Sequence, residues 1–394
     1  MQKIKVAHVI TRLIIGGAQE NTLFTVELLS ERENMEVTLI SGPQTGPEGS
    51  ILETVKKQEK KYNLLFIQEL VREINPVKDL IALFKLYRLF RREKYDIVHT
   101  HSSKAGVIGR LAAFLAGLKV IVHTIHGLPF HPYQQRLINL LYIFLEKISG
   151  LVTHKIITVC DAMTAKAVAA KVAKEDKFIT IYSGLELKSL LDFPKEKYQA
   201  EIRDRYNIAE GDLVVAKIAR LFYLKGHDHL IRVAKEIVEK LPQVKIMLIG
   251  DGLLKEELQQ KIKELGLKQN FIFTGLVTPQ EIPKLLSVVD LVVHCSLREG
   301  LARVLPQALA LRIPAISFDI DGAGEVIFDN KTGFLVPPKD EALLRQRILE
   351  ILENEELRKK MADGGPKVVD PIFRKEYMVA EIEKLYNAFL RNFK

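Results

Sequence analysis

The sequence predicts an α/β protein made of two doubly wound parallel-sheet domains that face each other across a cleft. Three observations carry this expectation. Short apolar runs alternate with segments of helical period, as strands joined by crossover helices do. The alternation lapses near Ser183–Pro194 and then resumes, so one architecture is used twice and no 20–50-residue repeat is visible. The loops after strands collect glycine, histidine and cationic residues in both halves, where open parallel sheets bind their ligands. At 394 residues, two domains are the default.

In the first half, Val6–Ile10 reads as a strand, followed by a Gly16-Gly17 turn and a helix through Leu29. Val37–Ile40 is the next strand, and Ser41–Ser50 a loop rich in Gly and Pro. Further strands are expected at Ile97–Thr100, Val120–Thr124 and Ile156–Val159. In the second half, strands are expected at Val214–Ala219, Lys245–Ile249, Phe271–Phe273, Leu291–Val293 and Ala315–Phe318, with a helix over Gly226–Lys240. Leu305, Leu309 and Leu311 recur at helical spacing, so Glu299-Gly300 is expected at a strand-to-helix junction. The expected domains are 1–185 and 195–372. A last helix within 373–394 has no strand after it and could pack back on the first domain.

Composition bounds the function. Apolar residues make up 47% and charged residues 27%, a globular balance. No apolar run reaches the ~20 residues that span a bilayer. Met1–Val6 leads directly into a strand pattern, so no secretory signal is expected. Cys160 and Cys295 stand far apart, which argues against a disulfide framework or a zinc site and suits a reducing cytoplasm. Residues 1–190 hold 26 Lys+Arg against 18 Asp+Glu, and 191–394 hold 32 against 31. The first half therefore faces something anionic more readily than the second. No nucleic-acid fold signature accompanies the charge, so nucleic acid is not expected as a partner.

Several constellations fall after strands. Gly16-Gly17-Ala18 allows close backbone approach before a helix N-terminus, but no Gly-x-Gly-x-x-Gly is present, which disfavours a hydride-transfer cofactor. His99, His101, His123 and His126 invite a metal reading, yet neither segment supplies a carboxylate or thiolate. Hydrogen bonding to hydroxyls, or structural burial, suits them better. Arg220 and Lys225 bracket a loop leading into a helix that opens on Gly226, a diphosphate-sized arrangement. Gly250-Asp251-Gly252 adds a glycine-lined loop on the same edge, and the segment from Phe271 to Leu276 an apolar wall for a flat base.

Taken in order, these pieces resemble the family-four retaining glycosyltransferases of the GT-B fold, two Rossmann-like domains across a cleft. The likeness runs through Gly16-Gly17-Ala18, Asp96–His101, His123–Gly127, Arg220 with Lys225-Gly226, Gly250–Gly252, Glu299-Gly300-Leu301 and Thr332–Pro337. It covers nearly the whole chain. The resemblance implies a nucleotide-sugar donor, UDP- or GDP-linked, with Arg220 and Lys225 on its diphosphate. Glu299 and His126 would act at the transferred sugar. Gly300, Leu301 and Ala302 would line the phosphate side. Gly16, Gly17, Gly252 and Leu276 complete the expected donor site. No metal and no other cofactor is implied. The family pattern is Glu-x7-Glu, and Gln307 occupies its second position. A Gln can still bond ribose hydroxyls but carries no charge.

The expected acceptor is a glycan or lipid-linked saccharide of envelope polysaccharide or glycolipid synthesis, with His101 and Lys104 placed to bind it. The protein would be cytoplasmic and peripheral on the inner membrane face. In Lys78–Arg92, Leu80, Leu83, Phe84 and Tyr87 stand at core spacing beside a basic face, which reads as a packed scaffold helix with an anionic-membrane option. Tyr133–Lys147 is a second such candidate. The rival functions are a GT-B nucleotide-sugar epimerase or hydrolase, and a non-catalytic nucleotide-sugar-binding protein.

Overall fold

The computed structural model describes residues 3–44 and 60–391. The chain divides into two compact units: the residues up to Leu185 together with the segment from Phe373, and Glu186–Ile372. The Gly/Pro-rich loop read over Ser41–Ser50 lies, from residue 45 on, outside the described residues.

The first unit is a seven-stranded parallel sheet in the order β3-β2-β1-β4-β5-β6-β7. Its elements are β1 (Ile4–Ile10), α1 (Gly17–Ser30), β2 (Met35–Ser41), β3 (Asn63–Phe66), α2 (Pro76–Glu93) and β4 (Ile97–His101). They continue with α3 (Ser103–Leu115), β5 (Val120–Ile125), α4 (Arg136–Leu151), β6 (Lys155–Thr158), α5 (Asp161–Ala169) and β7 (Phe178–Thr180). Central strands are covered on both faces, so they read as near-continuous apolar runs. Alternation divides those runs between two cores. Val6 and Ile10 of β1 and Ile97 of β4 pack with Leu23, Val26 and Leu29 of α1 and with Met378, Val379, Ile382 and Tyr386. Those last four belong to a C-terminal helix, Lys375–Arg391. Ala7, Val9 and Val98 face Ala82, Leu86 and Phe90 of α2 and Ala105, Ile108 and Ala112 of α3.

The stripe that α2 buries is thus Ala82, Leu86 and Phe90. Leu80 and Phe84, expected in the core, face solvent instead. The helix is apolar around more than one face, and periodicity alone does not say which face the sheet takes. Asn75 caps it, accepting from the Lys78 N–H.

The second unit is a six-stranded parallel sheet in the order β10-β9-β8-β11-β12-β13. Its main elements are β8 (Leu213–Ile218), α6 (His227–Lys240), β9 (Val244–Ile249), α7 (Lys255–Glu264), β10 (Phe271–Gly275) and β11 (Leu291–His294). After these come α8 (Val304–Ala310), β12 (Ala315–Phe318), β13 (Gly333–Val336), α9 (Glu341–Glu353) and α10 (Glu355–Val369). Leu230, Ala234 and Ile237 of α6 and Leu344 and Ile348 of α9 cover one face of the sheet. The helix after β11 starts only at Val304. Glu299 therefore stands in a loop, not on the helix start that the leucine spacing suggests.

Each sheet has a point where its strand order reverses, between β1 and β4 in the first unit and between β8 and β11 in the second. Loops diverge there and leave a crevice at the carboxyl edge.

Candidate active site

In the second unit the β8–α6 and β11–α8 loops flank the reversal point. Lys225 donates to Glu299 Oε1 at 2.6 Å. His294 Nε2, at the end of β11, lies 3.4 Å from the same oxygen. The Glu299 N–H donates to Asp321 Oδ2 at 2.8 Å, which fixes the loop from the β12 side. Burial alone would raise the Glu299 carboxyl, but Lys225 and His294 outweigh it and hold it well below the usual carboxylate range. The side chain is still 20% exposed, so the anion is fixed yet reachable.

The surroundings are cationic. Lys217 of β8 is fully buried and donates to Cys295 Sγ at 3.3 Å. His227, at the start of α6, is driven down to about 2, first by burial and then by Lys217 and Lys225. Gly226 turns the loop into α6 with φ 70°, and a Cβ there would lie 1.8 Å from the Cys295 carbonyl oxygen. Only glycine allows the β8 and β11 loops to approach this closely. Arg220 is exposed, its guanidinium 4.9 Å from the Phe222 ring centroid.

The remaining expected donor residues sit on the same carboxyl edge. Gly252 follows β9 and Leu276, half-exposed, follows β10. Gly300, Leu301 and Ala302 are buried in the loop before α8, and Gln307 is partly exposed on that helix. Because Glu299 is not helical, its spacing to Gln307 carries no helical-wheel meaning. Lys217, His294, Asp321 and His227 are additions to the sequence reading. A lysine and a histidine inside the apolar strands Leu213–Ile218 and Leu291–His294 were the available signals, since buried charge inside a sheet needs a reason.

In the first unit, His8, His99 and His101 project on the face of the C-terminal helix, because alternation places them with Val6 and Ile97. His99 Nδ1 lies 2.6 Å from the Tyr386 hydroxyl and its Nε2 lies 2.7 Å from Thr124 Oγ1. His101 is fully buried, with Nε2 3.0 Å from His8 Nδ1 and Nδ1 3.2 Å from His126 Nε2. His101 thus has both ring nitrogens on neighbouring histidines. Lys104 is paired at 2.5 Å with Asp79 of α2 and bonded to the Glu73 carbonyl. On the opposite face His123 Nδ1 lies 2.9 Å from Thr100 Oγ1. A Cβ on Gly106 would come within 2.5 Å of the His123 ring, so α3 can pass here only through glycine.

Nitrogens of His8, His99 and His101 lie within 4.8 Å of one another. The ring centroids of His99 and His101 lie 4.3 Å apart with planes tilted by 31°, and those of His8 and His101 lie 5.3 Å apart at 19°. His99 has its nitrogens on Tyr386 and Thr124, and His101 has its own on His8 and His126, so hydrogen bonds knit the cluster.

Gly16 precedes α1 and Gly17 opens it, in the connection that follows β1. His126 lies one residue past β5 on the same edge of the sheet. Among the described residues no helix is long and apolar enough to cross a membrane.

A family model described as Glycosyltransferase Family 4 matches residues 15–189, and one described as Glycosyl transferases group 1 matches 198–368. The chain is 30% identical over 376 residues to the UDP-Gal:alpha-D-GlcNAc-diphosphoundecaprenol alpha-1,3-galactosyltransferase of Escherichia coli, covering 92% of this chain and 93% of that one. It is 27% identical to the capsular polysaccharide biosynthesis glycosyltransferase CapM of Staphylococcus aureus, over 91% and 92% of the two chains. Among solved structures, Anabaena HepE in complex with UDP and glucose superposes with a TM-score of 0.83 at 20% identity, over 98% of this chain and 99% of that one. With both domains matched in order and a full-length relative at this identity, the chain belongs to the family-four retaining glycosyltransferases of the GT-B fold.

Proposed function

We propose that the enzyme moves a hexose from a UDP-sugar onto a diphosphate-lipid-linked saccharide in envelope polysaccharide synthesis. The observation that carries this reading is the Glu299 carboxylate, held ionised by Lys225 and His294 at the reversal point of the second sheet. A fixed anion with one edge open suits sugar hydroxyls, which donate to it. The Lys225 ammonium has three donors and uses one on Glu299, so it can also serve a phosphate oxygen. Arg220 would take the other side of the diphosphate, with Gly300, Leu301 and Ala302 along it. Gln307 would bond the ribose, and Gly252 and Leu276 would border the base. Gly16, Gly17 and His126, on the carboxyl edge of the first unit, would contribute to donor-sugar binding. Cations on the leaving UDP would do the work of a divalent ion, so no metal is required. UDP is chosen over GDP because the Escherichia coli relative is named for UDP-Gal.

The lipid-linked acceptor and an anionic membrane surface are supported by the first unit's outer helices. On α4, Leu137, Leu140, Leu141, Phe144 and Leu151 are exposed, Leu137 by 80%. On α2, Val77, Leu80, Ile81 and Phe84 are exposed. A groove of about 900 Å³ beside α2 is lined by Phe66, Ile81 and Phe84 together with Arg88, Arg91 and Arg92. Apolar faces bordered by cations suit lipid chains and phosphates together.

The test is a thermal-shift titration with UDP, GDP and ADP, since a ligand that binds only the folded state raises its melting temperature with concentration. UDP should raise the melting point of the wild type and much less that of Lys225→Ala. A larger shift with GDP, or none with any nucleotide, would overturn the donor assignment.

A further inference from the structure

Glu299 stands in the loop between β11 and α8, where neither helix nor strand fixes its backbone. Two neighbouring loops do so instead. On one side the Leu297 N–H donates to the Leu224 carbonyl at 2.8 Å. On the other, the turn that follows β12 meets the loop at two consecutive residues. The Glu299 N–H donates to Asp321 Oδ2 at 2.8 Å, and the Gly322 N–H donates to the Gly300 carbonyl at 3.1 Å.

Asp321 has φ 46°, in the left-handed region that an L side chain enters only at a cost. Glycine would carry none of that strain. A strained residue persists where its surroundings over-determine it, and such residues gather at functional sites. Here the side chain supplies the reason for an aspartate. It puts a carboxylate oxygen on the N–H of the residue whose own carboxylate centres the site. A carboxylate accepting from a backbone N–H makes a charge-assisted bond, stronger than one between neutral groups.

The two contacts hold different things. The Gly322–Gly300 bond joins backbone to backbone and survives any change of side chain at position 321, so it keeps the Gly300–Ala302 segment in place. The Asp321 bond fixes the peptide that enters Glu299, and with it the direction in which the Glu299 side chain leaves toward Lys225. We infer that Asp321 is a positioning residue, whose carboxylate, carried on a left-handed backbone, aims Glu299 at the transferred sugar. The inference rests on the reading that Glu299 acts at that sugar.

A double-mutant cycle on the full chain tests it. Turnover is read as UDP released from UDP-galactose or UDP-glucose with a diphosphate-lipid-linked saccharide as acceptor, and UDP affinity is read by titration. Asp321→Gly keeps the left-handed turn without strain and removes the acceptor for the Glu299 N–H. It should lower kcat about tenfold, the scale of one bond to a charged group, and leave donor KM and UDP affinity within about twofold. Asp321→Asn tolerates the same backbone and still offers an amide oxygen, so it should recover kcat to within about threefold. In the Glu299→Gln background, Asp321→Gly should cost less than about twofold, because a residue that acts through the Glu299 carboxylate has nothing left to aim. Wild-type kcat in Asp321→Gly, or an equal loss in both backgrounds, overturns the inference. So does a loss of UDP affinity as large as the loss of kcat, which would make Asp321 a support of the whole loop. Full turnover in Glu299→Gln, or none in the wild type, overturns the proposed function instead. Should Asp321→Gly not fold, hydrogen exchange of the wild-type Glu299 amide decides. Protection supports the bond to Asp321, and exchange at the rate of an open loop overturns the inference.

Discussion

At the scale of residues, the centre of the second unit is a charge balance, and one substitution tests it. Glu299→Gln keeps the shape and one acceptor oxygen but removes the charge that Lys225 and His294 hold in place. A hydrogen bond to a charged group is worth about 1.5–3 kcal/mol, so kcat/KM should fall about 10–150-fold. UDP binding, read by thermal shift, should persist, because the diphosphate contacts lie with Arg220 and Lys225. Turnover within twofold of wild type would remove Glu299 from the site. Glu299 and Lys225 could be found in the sequence because loop residues after strands are cheap to scan. Their partner Asp321 could not, since the turn after β12 meets Glu299 only once the sheet is assembled, while His294 left one trace, a histidine inside an apolar strand. For His101 and Lys104 the sequence hid the neighbours: His101 bonds His8 and His126, and Lys104 pairs with Asp79 and the Glu73 carbonyl. Lys104→Ala should therefore leave acceptor KM nearly unchanged and cost stability by about 1 kcal/mol or less, measured by denaturant midpoint.

At the scale of elements, strands were more legible than helix faces. Continuous apolar runs marked β1, β2, β4, β5, β6, β8, β9, β11 and β12, as strands buried on both faces do, and a shorter run marked the edge strand β10. β3, β7 and β13 are short strands at sheet edges and went unmarked, although Leu64–Ile67 and Phe334–Val336 are apolar runs of the same kind. Helix α2 shows the limit for helices, since its exposed apolar face competes in the sequence with the buried one. That exposure, continued on α4, makes an experimental claim. Leu140→Asp with Phe144→Asp should lower sedimentation with vesicles of anionic phospholipid at least tenfold. The same pair should leave the melting temperature within about 2 °C, since neither side chain is in the core. Equal sedimentation of variant and wild type would rule α4 out as the docking face. Behind that face, Arg110 of α3 donates to Glu146 of α4 at 2.8 Å with both side chains buried. Removing one partner leaves the other charged in the interior, so Glu146→Leu should cost about 3–5 kcal/mol in chemical denaturation. Arg110→Met added to it should recover most of that loss. A single variant as stable as wild type would contradict this account of how α4 is held.

At the scale of the whole molecule, the two units differ in how they store neutral histidine, and acid should separate them. His8, His99, His101 and His123 are fully buried in the first unit and all are lowered by burial, His8 to about 3. Coulombic repulsion among them adds to the effect. The second unit buries three, His227, His229 and His294; only His227 and His294 are lowered by burial, and His294 has the Glu299 carboxylate to offset this. In an unfolded chain each of these groups takes up a proton near pH 6.5, whereas the folded form refuses it until far lower pH. Between those values the unfolded state binds more protons, so stability is complete above pH 6.5 and falls as pH drops toward 3. Each group contributes about 1.4 kcal/mol per pH unit in that window, so four reach about 5 kcal/mol per unit. Glu299 acts in a lower window. Its depressed carboxyl gives stability that is present above the ordinary carboxylate value and is lost only as pH falls below it. A domain is stable by about 5–15 kcal/mol, so the first unit should open between about pH 5.5 and 3.5, ahead of the second. Hydrogen exchange at about pH 7, 5 and 3.5 reads this strand by strand. Protection should disappear first in β1, β4 and β5, while β8 and β11 remain protected. Simultaneous loss in both sheets, or protection of β1 and β4 that survives to about pH 3.5, would show that the histidine cluster is not what limits this protein in acid.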